Sequence, residues 1–252
     1  MQVTVLASGS RGNATYIEMD GVRLLIDAGI SATRIRKGLA AAGANAADLD
    51  GILITHEHQD HIAGLAMMLK WYHLPVFSRQ ATLASLLSAK HLPEDCLHAI
   101  EGEITFGDVH VHAFPTSHDA ADPAGYRICG SSCCALATDL GFVTQDVQRG
   151  IEGADALILE ANHDPDMLRQ GGYPWTLKRR ILSNRGHLTN ADAAWALVRM
   201  QKKPKQVILA HLSEENNRPA LAQETVEGIL QQQGLGIPIT LASQNEAVGF
   251  RS

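Results

Sequence analysis

Thr55-His56-Glu57-His58-Gln59-Asp60-His61 follows directly on the apolar run Gly51-Ile52-Leu53-Ile54. An apolar run that ends abruptly in histidines and carboxylates reads as a buried strand delivering ligands into the loop at its end. Neutral imidazoles together with a carboxylate suit zinc, manganese or iron. The spacing differs from the helix-borne H-E-x-x-H of metalloproteases. His56 and His58 are two apart, so in an extended segment they share a face. Asp60 continues that parity and His61 breaks it. A chain that begins to coil after Gln59 would turn Asp60 and His61 toward a second metal. A merely solvated turn has no use for three histidines at this density.

Other apolar runs end in the same way. A first strand over 3–7 enters the small, polar turn Ser8-Gly9-Ser10-Arg11-Gly12-Asn13. Strands over 15–19 and 22–26 form a hairpin closed by Asp20-Gly21, and the second arrives at Asp27. An alternating run over 109–114 leads to Thr116-Ser117-His118-Asp119. Strands over 134–138 and 206–210 deliver Asp139 and His211, and one over 156–159 delivers Glu160. Helical patterns cover 31–42, 62–72, 80–89, 145–151, 174–183, 190–201 and 217–233. Two short strands close the chain over 237–250. In each half strands come in a run and then alternate with helices. This predicts an α/β protein with two sheets face to face and helices outside, a four-layer αββα sandwich in one domain over 1–252. Periodicity leaves the strand order open. Ligand sites gather where strand ends meet, and five such endings (Asp27, the His56 cluster, His118, Asp139 and His211) point to one site.

Composition sets bounds. The 252 residues are 45% hydrophobic and carry a formal net charge of -6, which by itself argues against a dedicated nucleic-acid binder. The start Met1-Gln2-Val3-Thr4-Val5-Leu6 lacks the basic opening of a signal peptide. No apolar run approaches the roughly 20 residues of a membrane span. Cys96, Cys129, Cys133 and Cys134 match no zinc-knuckle spacing and read as reduced, part-buried thiols. The expectation is a cytoplasmic protein with no membrane association. His73, His91, His98, His110 and His112 lie off the ligand pattern and are expected at surface or part-buried positions.

The pattern His56-x-His58-x-Asp60-His61, with Asp27 upstream and His118, Asp139 and His211 downstream, resembles the metallo-β-lactamase-fold hydrolases over nearly the whole chain. The resemblance implies that fold and two divalent metal ions, zinc or manganese. His56, His58 and His118 would hold one metal, Asp60, His61 and His211 the other, and Asp139 would bridge them. Asp27 would orient the histidine loop from behind, and Asp119 and His163 adjoin the site in the same supporting position. Two such metals, about 3.5–4 Å apart, generate hydroxide at neutral pH and clamp an in-line displacement. No cysteine falls at a ligand position, a departure from some lactamases of this fold. Ser8-Gly9-Ser10-x-Gly12-Asn13, Ala137-Thr138-Asp139-Leu140-Gly141, Glu160-Ala161-Asn162-His163-Asp164, Gly186-His187-Leu188-Thr189-Asn190 and His211-Leu212-Ser213-x-x-Asn216-Asn217 look like the YycJ branch, also called WalJ or VicX. That branch is regarded as exonuclease-like.

In related tRNA-processing endonucleases of this fold, a glutamate after a strand supports a histidine that protonates the leaving oxygen. Glu160 and His187 stand in the corresponding places, so the catalytic set is read as Asp60, Glu160 and His187. A His–carboxylate pair holds the imidazole tautomer that general-acid work requires. Charge distribution qualifies the net charge. Residues 167–213 carry nine basic side chains, with Asp192 the single acid. Lys178, Arg179, Arg180 and Arg185 are the candidate nucleic-acid contacts, with Tyr173 and Trp175 nearby for base stacking. The expected activity is therefore a dinuclear metal-dependent phosphodiesterase acting on nucleic acid, most simply a DNA exonuclease. The alternatives are a glyoxalase-like thioester or small-ester hydrolase of the same fold, and a non-catalytic metal-binding regulatory module.

Overall fold

Alternation along the apolar runs divides their side chains between layers. In the computed structural model, which describes residues 1–90 and 92–251, the first half runs β1 (Gln2–Ala7), β2 (Ala14–Met19), β3 (Val22–Ile26), α1 (Ala32–Ala41) and β4 (Gly51–Leu53). It continues through α2 (Gln59–Ile62), α3 (Leu65–Tyr72), β5 (Val76–Ser78), α4 (Gln80–Lys90) and β6 (Leu97–Ala99). The second half begins with β7 (Glu103–Phe106), β8 (Val109–Pro115), β9 (Ala124–Cys129), β10 (Cys133–Ala137), α5 (Gln145–Ile151) and β11 (Ala156–Glu160). Then come α6 (Pro165–Gln170), α7 (Trp175–Ile181), α8 (Asn190–Arg199), β12 (Gln206–Ala210), α9 (Pro219–Gln232), β13 (Ile239–Leu241) and β14 (Val248–Arg251).

These strands form two seven-stranded sheets, ordered β14-β1-β2-β3-β4-β5-β6 and β13-β12-β11-β10-β9-β8-β7. Each is antiparallel on one side and parallel on the other. Pairing is parallel from β3 to β6 in the first and from β10 to β13 in the second. Leu24 and Ile26 of β3 join Ile158 of β11 and Ile208 of β12 in a core between the sheets. Leu25 faces the other way, into a core shared with Ile35 and Leu39 of α1 and with Met68 and Leu69 of α3. Leu157, Leu159, Val207 and Leu209 likewise pack on Val147 of α5, Leu197 of α8 and Val226 of α9. Strands buried on both faces have to be apolar at every position, which is why they read as continuous runs. The result is the expected αββα sandwich.

Several local expectations are refined. Ser31 caps α1 through its side chain, as read from the sequence. The helix expected over 62–72 is two helices broken at Ala63-Gly64, because the Gly64 amide donates to Ala28 O at 2.7 Å instead of continuing a turn. The short helix α6 has no apolar periodicity and was not expected. It is set by Asp164, whose carboxylate accepts from the amides of Asp166 and Met167, with Pro165 in the first turn. The last strand leaves the second sheet and pairs antiparallel with β1. The reading of four reduced cysteines is corrected. Cys129 and Cys133 form a disulfide, because the turn at Gly130 sets them opposite each other with Cα atoms 4.2 Å apart. Cys96 and Cys134 are free and buried. His73, His98, His110 and His112 are exposed, and His91 lies outside the described residues.

At Gly64 a Cβ would sit 2.2 Å from Ile30 O and 3.3 Å from Ala28 O, backbone atoms that cannot rotate away. Gly64→Ala is therefore expected to lower stability by about 2 kcal/mol, read as a shift of the urea midpoint at unchanged slope. An unaltered midpoint would show that this helix break tolerates a side chain.

Candidate active site

All five predicted strand endings arrive at one edge of the sandwich. Asp27 follows β3 and the histidine cluster follows β4 in the first sheet. His118, Asp139 and His211 follow β8, β10 and β12 in the second. Asp27, Asp139 and His211 have φ of 61°, 59° and 55°. This left-handed conformation costs an ordinary side chain on the order of 1 kcal/mol. It turns each side chain inward as its strand ends. The chain does coil after Gln59, in α2, and this turns His61 away from the face of His56 and His58.

Four buried imidazoles, His56, His61, His118 and His211, each have a partner on Nδ1 and turn Nε2 toward the cleft. His61 Nδ1 donates to Asp27 Oδ2 at 2.7 Å, and His118 Nδ1 to Gly186 O at 3.2 Å. His211 Nδ1 donates to Glu160 Oε1 at 3.0 Å, and His56 Nδ1 lies 3.0 Å from Thr55 Oγ1. The tautomers follow from these partners. The Nε2 atoms then converge. His56 Nε2 and His118 Nε2 lie 3.0 and 3.3 Å from His58 Nδ1, so His56, His58 and His118 can hold one ion. Asp60, His61 and His211 form a second such group. Asp139 lies between them, with Oδ2 at 3.4 Å from His61 Nε2 and Oδ1 at 3.7 Å from both His118 Nε2 and His211 Nε2. Buried Asp139 Oδ2 and His211 Nε2 have no hydrogen-bond partner among the described residues. Unpaired buried acceptors and clustered imidazole lone pairs suit a divalent cation.

The electrostatics agree. Burial pushes the His56 and His118 imidazoles below their usual range, which keeps them neutral as ligation requires. Burial alone would raise Asp139, but His211, His61, His56 and His118 hold it well below the usual carboxylate range. Burial opposes charge on His211 too, yet Asp139, Asp60 and Glu160 push it up to about 10. His61 is raised for a similar reason, against its burial, by Asp27 and Asp139. In the absence of an ion, protons on His61 and His211 offset the carboxylates.

Supporting groups come from distant parts of the chain. Asp27 accepts from Thr55 N at 2.8 Å, from the Thr55 hydroxyl and from His61, which fixes the start of the histidine loop. Ser8 Oγ accepts from His211 N at 2.8 Å, and Asn13 Nδ2 lies 3.2 Å from His61 Nε2, so the first glycine loop contacts both histidines. Glu160 is fully buried. Its Oε1 accepts from His187 Nδ1 at 2.8 Å and from His211, and its Oε2 from the amides of Leu140 and Leu188 at 2.8 and 3.1 Å. Burial alone would raise it, but His187 and His211 hold it down at about 2. Behind Glu160, Asn217 Nδ2 donates to Ala161 O and Asn162 O, and Asn190 Nδ2 to Asn217 Oδ1. Sequence reading grouped these asparagines only as a motif. Their role as a buried lattice depends on contacts across more than 50 residues.

A cleft of about 230 Å³ opens over His58, Asp60, His118, Asp139, His187 and His211, with Tyr173 and Leu177 on its far wall. The basic segment is less free than its sequence suggests. Lys178 is buried, with Nζ donating to Arg169 O and Gly171 O, both at 2.7 Å. Arg180 is clasped by Asp119, at 2.5 and 3.0 Å, and Asp119 also lies 3.4 Å from His118 Nε2. Arg179 and Arg185 are exposed and make no ion pair among the described residues. His163 is buried near Glu160, and both its ring nitrogens lack a hydrogen-bond partner among the described residues.

Residues 22–212 match the family model for the beta-lactamase superfamily domain. Exodeoxyribonuclease YycJ of Bacillus anthracis is 40% identical over 242 residues, covering 94% of this chain and 92% of that protein. Exodeoxyribonuclease WalJ of Streptococcus pneumoniae is 40% identical over 243 residues, covering 94% and 90%. The chain belongs to the β-lactamase superfamily, in the family of the YycJ and WalJ exodeoxyribonucleases. The crystal structure of the metallo-β-lactamase-fold protein YhfI from Bacillus subtilis superposes with a TM-score of 0.74 at 17% identity, covering 99% of each chain, and shares the fold. Membership makes the chain a metal-dependent hydrolase that binds divalent metal.

Burial depresses the His163 imidazole to about 4 from an ordinary 6.5. The unfolded chain binds that proton first, so stability falls as pH drops from about 6.5 to 4, by about 3 kcal/mol. His163→Phe should flatten this part of the slope in urea unfolding at stepped pH. An unchanged slope would mean that His163 takes no part in the acid sensitivity.

Proposed function

We propose that the chain is a dinuclear metal-dependent phosphodiesterase that degrades DNA as an exonuclease. One observation carries the reading: two His/Asp donor groups share a cleft with His187, held by Glu160 at 2.8 Å. The oxygen leaving a DNA phosphodiester needs a proton, and a thiolate leaving a thioester does not need a separate donor of this type. The 40% identity to relatives named exodeoxyribonucleases, over almost the full length of both, supports DNA as the substrate. A DNA substrate also fits a cytoplasmic protein. No helix among the described residues is long and apolar enough to cross a membrane.

Zinc or manganese suits the donor set. His56, His58 and His118 would hold one ion and Asp60, His61 and His211 the other, with Asp139 shared. When bound, such ions lower the pKa of water and screen phosphate charge. The chain's own groups do the rest. Asp60, at the open side of the cleft, orients the attacking water as well as completing its donor group. Glu160 fixes His187 Nδ1, so that Nε2 donates to the leaving oxygen. Asp27 holds His61 from behind, Asp119 flanks His118 on the cleft side and ties it to Arg180, His163 pairs through its backbone with the loop after His187, and Arg179 and Arg185 offer charge to the DNA backbone.

The test is incubation of metal-free protein, resupplied with zinc or manganese, with end-labelled single- and double-stranded DNA, RNA and a glutathione thiolester. Progressive shortening of DNA from one end is expected. Hydrolysis confined to the thiolester would overturn the reading. His187→Ala should lower kcat on DNA about 100-fold or more with metal content intact. Loss of metal in that variant would instead make His187 structural.

A further inference from the structure

The sequence points to Lys178, Arg179, Arg180 and Arg185, with Tyr173 and Trp175 nearby, as the nucleic-acid surface. The structure offers a better-built one on the other side of His118. A groove of about 530 Å³ starts at His118 and is lined by Ser117, Phe142, Asn184 and Arg185. Three site loops lock together beneath it. Ser117 Oγ accepts from Phe142 N at 3.1 Å and donates to Phe142 O at 2.9 Å, and Gly141 N donates to Ser117 O at 2.8 Å. The turn after Asp139 also presses on the turn before His187. A Cβ at Gly141 would lie 2.2 Å from the Asn184 carbonyl carbon and 2.5 Å from Arg185 N, so only glycine permits this approach. His118 Nδ1 closes the set on Gly186 O.

On this rigid base Phe142 stays 46% exposed. An apolar ring held out to water by a backbone fixed at both its N–H and its C=O is poised to stack on something. Charge selects the partner. Asp122 on the rim is bonded to Arg79 at 2.6 Å, and neighbouring Asp119 is taken by Arg180. The Arg185 guanidinium, with no ion pair among the described residues, is the uncompensated charge of the groove.

We propose that this groove guides the unpaired DNA strand next to the scissile phosphate, with a base stacked on Phe142 and a backbone phosphate on Arg185. The proposal rests on the DNA phosphodiesterase reading and deepens it. An aromatic face with an adjacent cation accepts any base, as a strand that must advance requires. The groove begins at a residue of the proposed metal site, so the strand would continue outward from the cleft without a break.

The test compares metal-loaded wild type, Phe142→Ala, Phe142→Tyr and Arg185→Ala on a single-stranded oligonucleotide of about 20 nucleotides, long enough to cover the groove, and on bis(p-nitrophenyl) phosphate, which is too short to reach it. Phe142→Ala should raise KM for the oligonucleotide about tenfold, with a much smaller effect on the small diester, and Phe142→Tyr should restore it. Arg185→Ala should flatten the salt dependence of oligonucleotide binding, lowering the log–log slope by about 0.7. Equal losses on both substrates, or an oligonucleotide KM and salt slope like those of wild type, would overturn the groove. Wild type that cleaves no DNA would instead overturn the activity on which it rests.

Discussion

The site depends on one buried carboxylate with four donors. Glu160 is fully enclosed, and ionised it would be costly there without compensation. Its two oxygens accept from His187, His211 and the amides of Leu140 and Leu188. The four bonds link a proposed proton donor, a proposed metal ligand, the turn after Asp139 and the loop of His187. Asp27 does the same work for the first sheet, joining Thr55 and His61. Each sheet thus has a buried carboxylate that orients imidazoles at its strand ends, Asp27 in the first and Glu160 in the second, and Asp139 lies where the two sets meet. A sandwich of two packed sheets suits this arrangement. Its rigid central strands set the spacing, and left-handed turns at Asp27, Asp139 and His211 supply the final rotation.

Much of this was legible in the sequence for a physical reason. Strands buried on both faces must be apolar throughout, so His56, Asp139, Glu160 and His211 stand out sharply where the runs end, while His118 follows the alternating strand β8. The layered architecture follows from the same runs. The strand order and the return of β14 to β1 were not legible, because pairing between segments more than 240 residues apart leaves no local pattern. The break at Gly64 was hidden for a similar reason, since a distant carbonyl takes its amide. The Cys129–Cys133 pairing depends on a hairpin register that spacing alone does not give.

The basic segment shows the limit most clearly. Charge density in a sequence counts cations without saying where they are spent. Lys178 is consumed by two carbonyls and Arg180 by Asp119, whereas Arg185 remains available. Phe142 attracted no notice as a single aromatic in a short turn. Its meaning comes from Ser117 and Gly141, which fix its backbone beside His118. Specificity read from structure therefore moves from a cluster of like charges to one cation and one ring on the same rigid base as the chemistry.

The central claim is that the two donor groups are two ion sites joined by Asp139. Anomalous diffraction from crystals of manganese- or zinc-loaded protein, collected at the metal absorption edge, tests it most directly. The account predicts two peaks, one bounded by His56, His58 and His118 and the other by Asp60, His61 and His211, with the Asp139 carboxylate between them. A single peak, or peaks held by other residues, would contradict it.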